Sequence, residues 1–330
     1  MINIAVLGAA HPHIGEALAE IAGRDDVTLV AASEPDAAMR DRFLGGVSAP
    51  AYADHAELLD RHRVDVAVVS GIYAQRSDAI LAAFAAGAHV FADKPLCTTF
   101  DQLDQIAAAA RGSDRHLGLM FTKRFSAATV AAKRLVDAGV LGELALIAST
   151  GPHKLTQANR PAWFFDSDLY GGAAGDLPVH DVDLALFFTG ATSGTISAAT
   201  GNVRSADHPD FDDHVALLLR AGSVIATIEA NWLSPEAAEL HGHYRMRLTG
   251  SEGTAEIDWG YETLTVATHD RPTWTEPLDQ PRRPMQFFFD AIIAGTEPDV
   301  STEASLLATR VALLAQQSAE SNNTPLPWST

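Results

Sequence analysis

The sequence predicts two parts, an α/β domain with a parallel sheet and an α+β domain with a large, mostly antiparallel open sheet. In the first 121 residues short apolar segments alternate with helical ones, which is typical of a parallel sheet covered on both faces. Beyond residue 122 the apolar segments are longer and contain tight turns, which indicates hairpins. We therefore expect a first domain over 1–121 and a second over 122–330.

In the first domain, five continuous apolar segments are predicted as strands, at 2–8, 27–33, 64–70, 89–93 and 116–121. The segments between them are predicted as helices, at 14–23, 37–44, 55–62, 76–86 and 100–111. Gly87 supplies a helix stop signal after the fourth of these helices. Because the strands are parallel, their carboxyl ends meet at one edge, where open α/β sheets bind ligands.

The second domain opens with a predicted helix at 127–139 and a strand at 143–150. Two β-rich runs, 215–232 and 244–259, contain glycine turns in their middle, so each is predicted as a hairpin. A strand at 264–268, a proline-rich surface loop at 272–284 and a helix at 301–320 are predicted to complete the domain. That last helix is a candidate for packing back on the first domain.

The composition limits the classes of function. A net charge of −19 repels nucleic acid and anionic lipid, so we expect neither DNA or RNA binding nor membrane binding. No apolar run approaches the roughly 18 residues that span a bilayer. The only cysteine, Cys97, excludes an internal disulfide and is expected to be a buried small side chain rather than a nucleophile. The first residues lack the basic segment of a signal peptide, so we expect a cytoplasmic protein.

The turn between the first strand and the first helix, Gly8 to Gly15, retains part of a dinucleotide-binding pattern. Of the three glycines of G-x-G-x-x-G only the first is present, and the other two positions hold Ala10 and His13. Such a degraded pattern alone fits an ordinary βα loop equally well. Its position after the first strand, where a helix N-terminus can hold phosphate, favours a dinucleotide.

An acid follows the second strand, Glu34, about 20 residues beyond the glycine turn. A carboxylate there suits the ribose hydroxyls of NAD and repels the extra phosphate of NADP, so we predict NAD. Arg40 and Arg42 leave NADP open. The candidate cofactor-binding residues are Gly8, Ala10, His11, His13, Ile14, Glu34, Ser70, Gly71, Asp93 and Lys94.

Two histidines in the glycine turn, His11 and His13, have the spacing of a metal pair. No cysteine or acid cluster accompanies them in the sequence, so we predict no metal site and expect both imidazoles beside the cofactor. Lys94 follows the fourth strand and precedes Pro95, which points it toward the ligand crevice. A lysine considered alone at such a place is more often solvated.

Two signatures resemble those of the Gfo/Idh/MocA oxidoreductases, the group of glucose-fructose oxidoreductase and inositol dehydrogenase. FADKPL (91–96) is similar to their E-K-P turn, and GGAAGDLPVHDVD (171–183) is similar to their G-G-x-x-x-D-x-x-x-H-x-x-D. Further similarity lies in 121–127, 135–144, 248–258 and the last helix, and so spans nearly the whole chain. The resemblance implies a Rossmann domain and a sugar, cyclitol or polyol dehydrogenase that forms a homodimer or homotetramer.

The second signature is predicted to start a helix at Asp176 or Leu177, because Pro178 is tolerated only in a first helical turn. Asp176, His180 and Asp183 then share one face. The resemblance implies that His180 is the general base, that Lys94 binds the reacting hydroxyl, and that Asp176 holds the substrate or orients the imidazole. Capping by Asp176 and a core role for His180 are the alternative, in which neither touches a ligand.

Other residues near the signatures receive weaker assignments. Asp183 is expected to support helix packing, and Asp181 is expected to be solvated. His153, with its neighbour Lys154, and Trp163 are predicted to line the substrate side, although Trp163 fits the core equally well. The chain departs from the family pattern at Asp93, which replaces a glutamate, at Gly71-Ile72, which replace Thr-Pro, and at Arg76, which replaces a histidine.

Two other functions remain open at this point. Some relatives use the same site for redox-neutral glycoside cleavage, in which NAD is transiently reduced. A non-catalytic NAD-binding protein is the other alternative, and the joint presence of Lys94, Asp176 and His180 argues against it.

Overall fold

The computed structural model describes all residues, Met1–Thr330, and the chain divides into two compact units. The first unit comprises Met1–Met120, Asp168–Gly171 and Pro284–Thr309. The second unit comprises Phe121–Ser167, Gly172–Arg283 and Arg310–Thr330. None of the helices combines the length and hydropathy that a bilayer-spanning segment requires.

The first unit contains a six-stranded parallel sheet. Its strands are β1 (Ile2–Ala9), β2 (Val27–Ser33), β3 (Ala51–Tyr52), β4 (Val66–Ser70), β5 (His89–Ala92) and β6 (Leu117–Leu119). Their order is β3-β2-β1-β4-β5-β6, so the direction of winding reverses between β1 and β4. The carboxyl ends of these two strands therefore flank the switch point at which such sheets bind dinucleotides.

Helices cover this sheet: α1 (Ile14–Ala22), α2 (Ala37–Leu44), α3 (His55–Arg61), α4 (Arg76–Ala85) and α5 (Phe100–Arg111). Several begin where a side chain accepts a hydrogen bond from the first turn. Asp54 accepts from two backbone N–H groups of α3 at 2.6 and 3.1 Å, and Asp36 accepts from Met39 N at 2.8 Å. These caps explain why the predicted helices have nearly the observed bounds.

Two elements of the first unit do not follow from the sequence pattern. The strand β3 has only two residues, too few for a hydrophobic period. Helix α10 (Pro284–Ala294) begins at the end of the segment predicted as a proline-rich loop. Pro284 occupies its first position, where proline is tolerated, and Phe288 and Phe289 join the buried core of the parallel sheet.

The second unit contains a nine-stranded open sheet. Its strands are β7 (Leu144–Pro152), β8 (Ser193–Gly201), β9 (His214–Ala221), β10 (Val224–Asn231), β11 (Arg245–Gly250), β12 (Gly253–Asp258), β13 (Thr263–Thr268), β14 (Trp274–Thr275) and β15 (Leu326–Ser329). The order is β14-β13-β12-β11-β7-β10-β9-β8-β15, with only β7 and β10 parallel. Both predicted hairpins are confirmed, as β9–β10 and β11–β12.

The remaining helices are α6 (Ala127–Asp137), α7 (Ser167–Tyr170), α8 (Ala173–Asp176), α9 (Val179–Thr189) and α11 (Thr302–Glu320). Strands β8 and β15 were not predicted, and the last helix does not close the chain, since β15 follows it and pairs with β8. Alternate residues of the sheet point to one outer face. On that face Ala148 lies beside Thr227, and Thr227 lies beside Leu218.

Candidate active site

The glycine turn approaches the end of β4 so closely that no side chain fits at its first position. Gly8 has a φ of +83°, and a Cβ on it would lie 2.7 Å from Gly71 Cα. The N–H groups of Ala10 and His11 both donate to Ser70 O, at 3.0 and 3.2 Å. The degraded pattern thus still folds into a tight turn at the switch point, and a glycine is required at its first position.

Helix α1 starts directly after this turn, and its first residue, Ile14, is fully buried. The acid predicted for the ribose, Glu34, lies beside the turn and is 3% exposed. Its carboxylate accepts from Ala9 N at 2.6 Å and from Asp36 N at 2.9 Å. Arg40 donates to Glu34 O at 2.6 Å, so its guanidinium is held by main chain next to the acid. Together these contacts fix the Glu34 carboxylate beside the glycine turn.

Asp93 is the centre of a buried network at the end of β5. His13 Nδ1 lies 2.9 Å from Asp93 Oδ1, and His11 Nδ1 lies 3.0 Å from Oδ2. Ser70 Oγ donates to Oδ2 at 3.1 Å, and Arg76 Nη2 lies 3.4 Å from the same oxygen. Including Asp93 itself, five residues from four segments, namely the glycine turn, the end of β4, the start of α4 and the end of β5, therefore meet at one carboxylate. Four of the five were predicted as cofactor-binding residues, and Arg76 was noted only as a departure from the family pattern.

The environment fixes the charges in this network. Burial and the neighbouring His13 together lower the pKa of His11 to about 3, so His11 is neutral at pH 7. Burial alone would raise the pKa of Asp93. His13, Arg76 and the hydrogen bond from His11 outweigh burial and hold that pKa well below its usual value. The network at neutral pH thus contains an ionised Asp93, a charged Arg76 and a neutral His11.

The same residues bring three possible metal-ligating atoms together. One atom each of His11, His13 and Asp93 lies within 4.8 Å of the others. Both carboxylate oxygens already accept hydrogen bonds, and the guanidinium of Arg76 lies 3.4 Å from one of them. A buried guanidinium repels a cation at that distance. The contacts therefore favour a hydrogen-bonded network over a metal centre.

Lys94 follows Asp93 and lies after the carboxyl end of β5, with 5% of its surface exposed. The Lys94–Pro95 peptide bond is cis. Arg76 donates to the carbonyls on both sides of Lys94, to Asp93 O at 3.0 Å and to Pro95 O at 2.7 Å. Lys94 is therefore buried, in contrast to the solvated lysine that is usual at such a position.

The second signature folds differently from the prediction. Asp176 ends the short helix α8, and α9 begins at Val179, so Asp176 does not share a helix with His180. Pro178 has no N–H to donate to residue 174, and the helix therefore restarts after it. The prediction of one helix from Asp176 or Leu177 is wrong. His180 and Asp183 do share α9, and all three ionisable side chains are buried, at 0%, 7% and 1% exposure for Asp176, His180 and Asp183.

The prediction of a solvated Asp181 is also wrong. Asp181 is fully buried and accepts from Lys123 Nζ at 2.8 and 2.9 Å and from Ser149 Oγ at 2.6 Å. Helix α9 is buried on nearly all sides, so the usual assumption that one helical face meets solvent fails here. Asp181 consequently needs a partner within the protein.

Asp183 forms a buried bidentate pair with Arg124. Arg124 Nε lies 2.9 Å from Asp183 Oδ2, and Arg124 Nη2 donates to Oδ1. The guanidinium lies over the ring of Phe187, 4.6 Å from its centroid. His180 lies one turn earlier and presents its ring edge-on to Phe121 at 6.0 Å. The pair therefore anchors the helix that carries His180.

The two residues predicted for the substrate side join one aromatic cluster. Trp163 is 6% exposed and packs edge-to-face on Phe164 at 5.7 Å. Phe164 contacts Trp232 at 5.5 Å, and Trp232 contacts His153 at 5.2 Å. His153 is partly exposed, and its Nδ1 lies 2.8 Å from Gly151 O. Trp163 thus forms the buried end of the cluster, and His153 forms its more accessible end.

Three site-supporting cations were not singled out from the sequence: Arg76, Lys123 and Arg124. Two of them follow the apolar strand β6 directly, in FTKRF. Two adjacent basic residues after a buried strand are a usable signal, because charged groups there must be paired. Arg76 gives a second signal, since a cation in the first turn of a helix is opposed by the helix dipole.

Comparisons with known proteins identify the family and the fold. Residues 2–121 match the model of an oxidoreductase family with an NAD-binding Rossmann fold, and residues 129–256 match the GFO/IDH/MocA C-terminal domain. A relative from Streptomyces antibioticus, dTDP-3,4-didehydro-2,6-dideoxy-alpha-D-glucose 3-reductase, is 30% identical over 261 residues. The match covers 78% of this chain and 75% of that protein.

A second relative, the myo-inositol 2-dehydrogenase of Thermotoga maritima, is 24% identical over 293 residues, which cover 82% of each protein. The fold is also that of a solved oxidoreductase structure from Thermotoga maritima, with a TM-score of 0.90, 22% identity and full coverage of both chains. Both predicted fold classes, the parallel sheet and the mostly antiparallel open sheet, are confirmed. The chain therefore belongs to the GFO/IDH/MocA family of oxidoreductases, and its first unit is the NAD-binding Rossmann domain of that family.

Proposed function

We propose that this protein is an NAD-dependent dehydrogenase that moves a hydride between NAD and a hydroxyl-bearing carbon of a sugar, cyclitol or related polyol. The observation that carries the proposal is the buried Lys94, placed directly after β5 at the ligand-binding edge of an NAD-binding sheet. Relatives named as a dTDP-sugar 3-reductase and an inositol 2-dehydrogenase support this substrate class.

The residues of the first unit suit NAD. The tight turn at Gly8 lies at the switch point, where such sheets bind a dinucleotide, and Glu34 supports recognition of an unphosphorylated ribose. NAD, when bound, supplies the hydride acceptor or donor of the reaction. The carboxylate of Glu34 would repel a 2′-phosphate, so we expect a lower KM for NAD than for NADP.

We assign the proton transfer to His180. An imidazole can remove the hydroxyl proton during oxidation and return it during reduction, and such a group contributes roughly 10²- to 10⁴-fold to the rate. The ammonium of Lys94 would bind the same hydroxyl and stabilise the negative charge that develops on its oxygen. Asp176 would orient either the imidazole or the substrate. His153 is the remaining substrate contact that we propose, with Trp163 supporting the aromatic cluster behind it.

A panel of polyols and sugars tests the function, with NADH formation followed by its absorbance and with NAD and NADP compared directly. We expect NADH to accumulate with at least one polyol. The redox-neutral alternative predicts glycoside cleavage without net NADH, and a non-catalytic protein predicts NADH binding without turnover.

Two substitutions test the assigned residues. Lys94→Ala and His180→Ala should each lower kcat by on the order of 10²-fold or more and leave the Kd for NADH largely unchanged. Lys133→Ala, at a partly exposed lysine of α6, and His269→Ala, at an exposed histidine, are matched controls that should retain full activity. Full activity of Lys94→Ala or His180→Ala would refute the roles given to these residues.

We further propose that the protein is a cytoplasmic homodimer or homotetramer assembled through the outer face of the nine-stranded sheet. Leu146 and Leu218 on this face are 50% and 52% exposed, which is unusual for leucine. Arg247 and Glu256 lie side by side on the same face and supply both signs of charge. The variant Leu146→Asp/Leu218→Asp should shift the mass measured by light scattering to that of the monomer, and an unchanged mass would refute this interface.

A further inference from the structure

Arg76 is the largest fully buried side chain of the protein, and it is not part of the family signatures. Its guanidinium donates in three directions. Nε donates to Gly71 O at 2.8 Å, Nη1 donates to Asp93 O and Pro95 O at 3.0 and 2.7 Å, and Nη2 lies 3.4 Å from Asp93 Oδ2. The side chain thus joins the loop after β4 to residues 93–96, which we call the lysine turn.

The position of Arg76 argues for a specific use of these contacts. It is the first residue of α4, where the helix dipole disfavours a cation. Full burial adds a desolvation cost, which hydrogen bonds must offset. Its guanidinium lies 4.5 Å from the ring centroid of Tyr73, which further restricts its orientation. Because burial of Arg76 is energetically unfavourable, we expect its hydrogen bonds to fix the geometry of a functionally important segment.

The two carbonyls that share Nη1 belong to the residues immediately before and after Lys94. Asp93 O belongs to the peptide group that precedes the Lys94 Cα, and Pro95 O belongs to the peptide group that follows the Pro95 Cα. Holding both carbonyls therefore fixes the backbone on either side of Lys94 and restricts the direction of its Cα–Cβ bond. We propose that Arg76 is the positioning residue for Lys94, which it aims by clamping the lysine turn at both flanking carbonyls. This inference rests on the proposed function, in which Lys94 binds the reacting hydroxyl.

Lysine could not replace Arg76 in this role. The guanidinium is a planar fork with five N–H donors at fixed angles, so it can bind Gly71 O and the two carbonyls of the lysine turn simultaneously. An ammonium keeps the positive charge beside Asp93 but has no fixed fork. Arg76→Lys therefore removes the clamp and keeps the charge, whereas Arg76→Met removes both.

Two measurements on the full-length protein test the proposal, each with Arg61→Lys as the control. Arg61 is 63% exposed and pairs only along its own helix with Glu57. Hydrogen exchange of a peptide covering 92–97 reports directly on the lysine turn and needs no substrate. Steady-state kinetics with the polyol that the panel identifies, together with the Kd for NADH from fluorescence, report on the reaction.

For Arg76→Lys we expect faster hydrogen exchange only in the lysine turn and in the loop after β4, which contains Gly71. We also expect kcat to fall on the order of 10²-fold, since a displacement of about 1 Å has effects of that size. The Kd for NADH should stay within about threefold, and in a Lys94→Ala background Arg76→Lys should cause no further loss of kcat. Arg61→Lys should resemble the wild type in both measurements.

Unchanged exchange in the lysine turn would overturn the clamp whatever the activity. Faster exchange with unchanged kcat would overturn the positioning role and leave the proposed function standing. A fall in kcat of equal size in the Lys94→Ala background would show that Arg76 acts through something other than Lys94. Loss of the fold in both Arg76 variants would assign it a purely structural role and overturn the proposal. If the wild type itself turns over no polyol, the proposed function fails, and the exchange measurement alone decides whether Arg76 orders the turn.

Discussion

The buried carboxylate of Asp93 and those of helix α9 are paired in different ways. In the first unit a single carboxylate, Asp93, serves four side chains, two of which are imidazoles. In the second unit Asp181 and Asp183 each have a cation of their own, Lys123 and Arg124. A dedicated pair cancels its charge locally and fixes the structure. The shared carboxylate stays ionised, because its neighbours hold its pKa well below the usual value, and it orders the glycine turn, the end of β4 and the start of α4 around one charge.

The largest effect that we expect comes from breaking a dedicated pair. Asp183→Leu leaves the guanidinium of Arg124 buried without its counter-charge, which should lower the free energy of unfolding by about 3–5 kcal/mol. The double variant Asp183→Leu/Arg124→Met should regain most of this loss, because no charge is left unpaired. Urea unfolding at pH 7 measures both. Equal instability of the single and double variants would mean that shape rather than charge dominates the site.

The second-largest effect that we expect is a loss of stability in acid, caused by the network around Asp93. The unfolded chain takes up a proton on His11 below pH 6.5, whereas the folded protein resists doing so until about pH 3. The unfolded state thus binds more protons in this window, so stability falls as the pH falls through it, on the order of a few kcal/mol in total. The lowered pKa of Asp93 acts in the same direction at still lower pH.

Urea unfolding between pH 7 and pH 4 measures this dependence, and His11→Gln is the informative variant because its amide does not titrate. Its free energy of unfolding should decline less steeply with acid than that of the wild type. His269→Gln, at an exposed position, should follow the wild type. Parallel curves for His11→Gln and the wild type would contradict a buried neutral His11.

Substitution of Trp259, whose ring lies beside Lys123, should have a smaller effect on the free energy of unfolding. Its Nε1 donates to Ser126 Oγ at 2.9 Å and lies 3.0 Å from Thr129 Oγ1, and Lys123 Nζ lies 4.7 Å from its ring. Trp259→Phe keeps an aromatic face for Lys123 but loses the indole donor, so we expect a loss of about 1 kcal/mol. Trp274→Phe is a matched control for loss of an indole donor. A loss as large as that of Asp183→Leu would contradict this ranking and would show that the indole hydrogen bonds to Ser126 and Thr129 matter more than a single exchanged donor.

The smallest effect should come from an exposed pair of the first unit. Arg111 and Glu303 form a bidentate pair, yet their side chains are 60% and 62% exposed. Arg111→Ala should change the free energy of unfolding by less than about 1 kcal/mol. The difference should shrink further in high salt, which screens exposed charges. A larger, salt-independent loss would remove the distinction between buried and exposed pairs that we draw.

The elements that could be predicted are those whose structure is determined by a pattern within their own residues. The parallel strands are continuous apolar runs, and capped helices such as α3 begin at a side chain that the sequence shows directly. Strand β15 was missed because its partner lies far away in sequence, with Leu326 beside Ile196. Strand β8 pairs also with the next strand, β9, and was missed because its small residues carry no clear pattern. A strand of mixed small residues gains its stability from such partners, and the local pattern does not contain them.

The candidate site shows the same limit. The residue types at Lys94, Asp176 and His180 could be recognised from their signatures, but the break at Pro178 and the burial of Asp181 could not. A single-helix interpretation assumed that one face of α9 meets solvent, whereas α9 is surrounded by protein. The role of Arg76 depends on three carbonyl oxygens, and main-chain acceptors are invisible to any pattern of side chains.

The last strand matters for anyone who expresses this protein. Trp328 of β15 is 4% exposed, and the strand lies along the outer edge of β8. Deletion of the residues from Leu326 onward would expose the unpaired backbone N–H and C=O groups of β8. Such an exposed edge can pair with other molecules and cause aggregation. Shortened versions intended for crystallisation should therefore retain the final residues, however dispensable a short polar tail looks on paper.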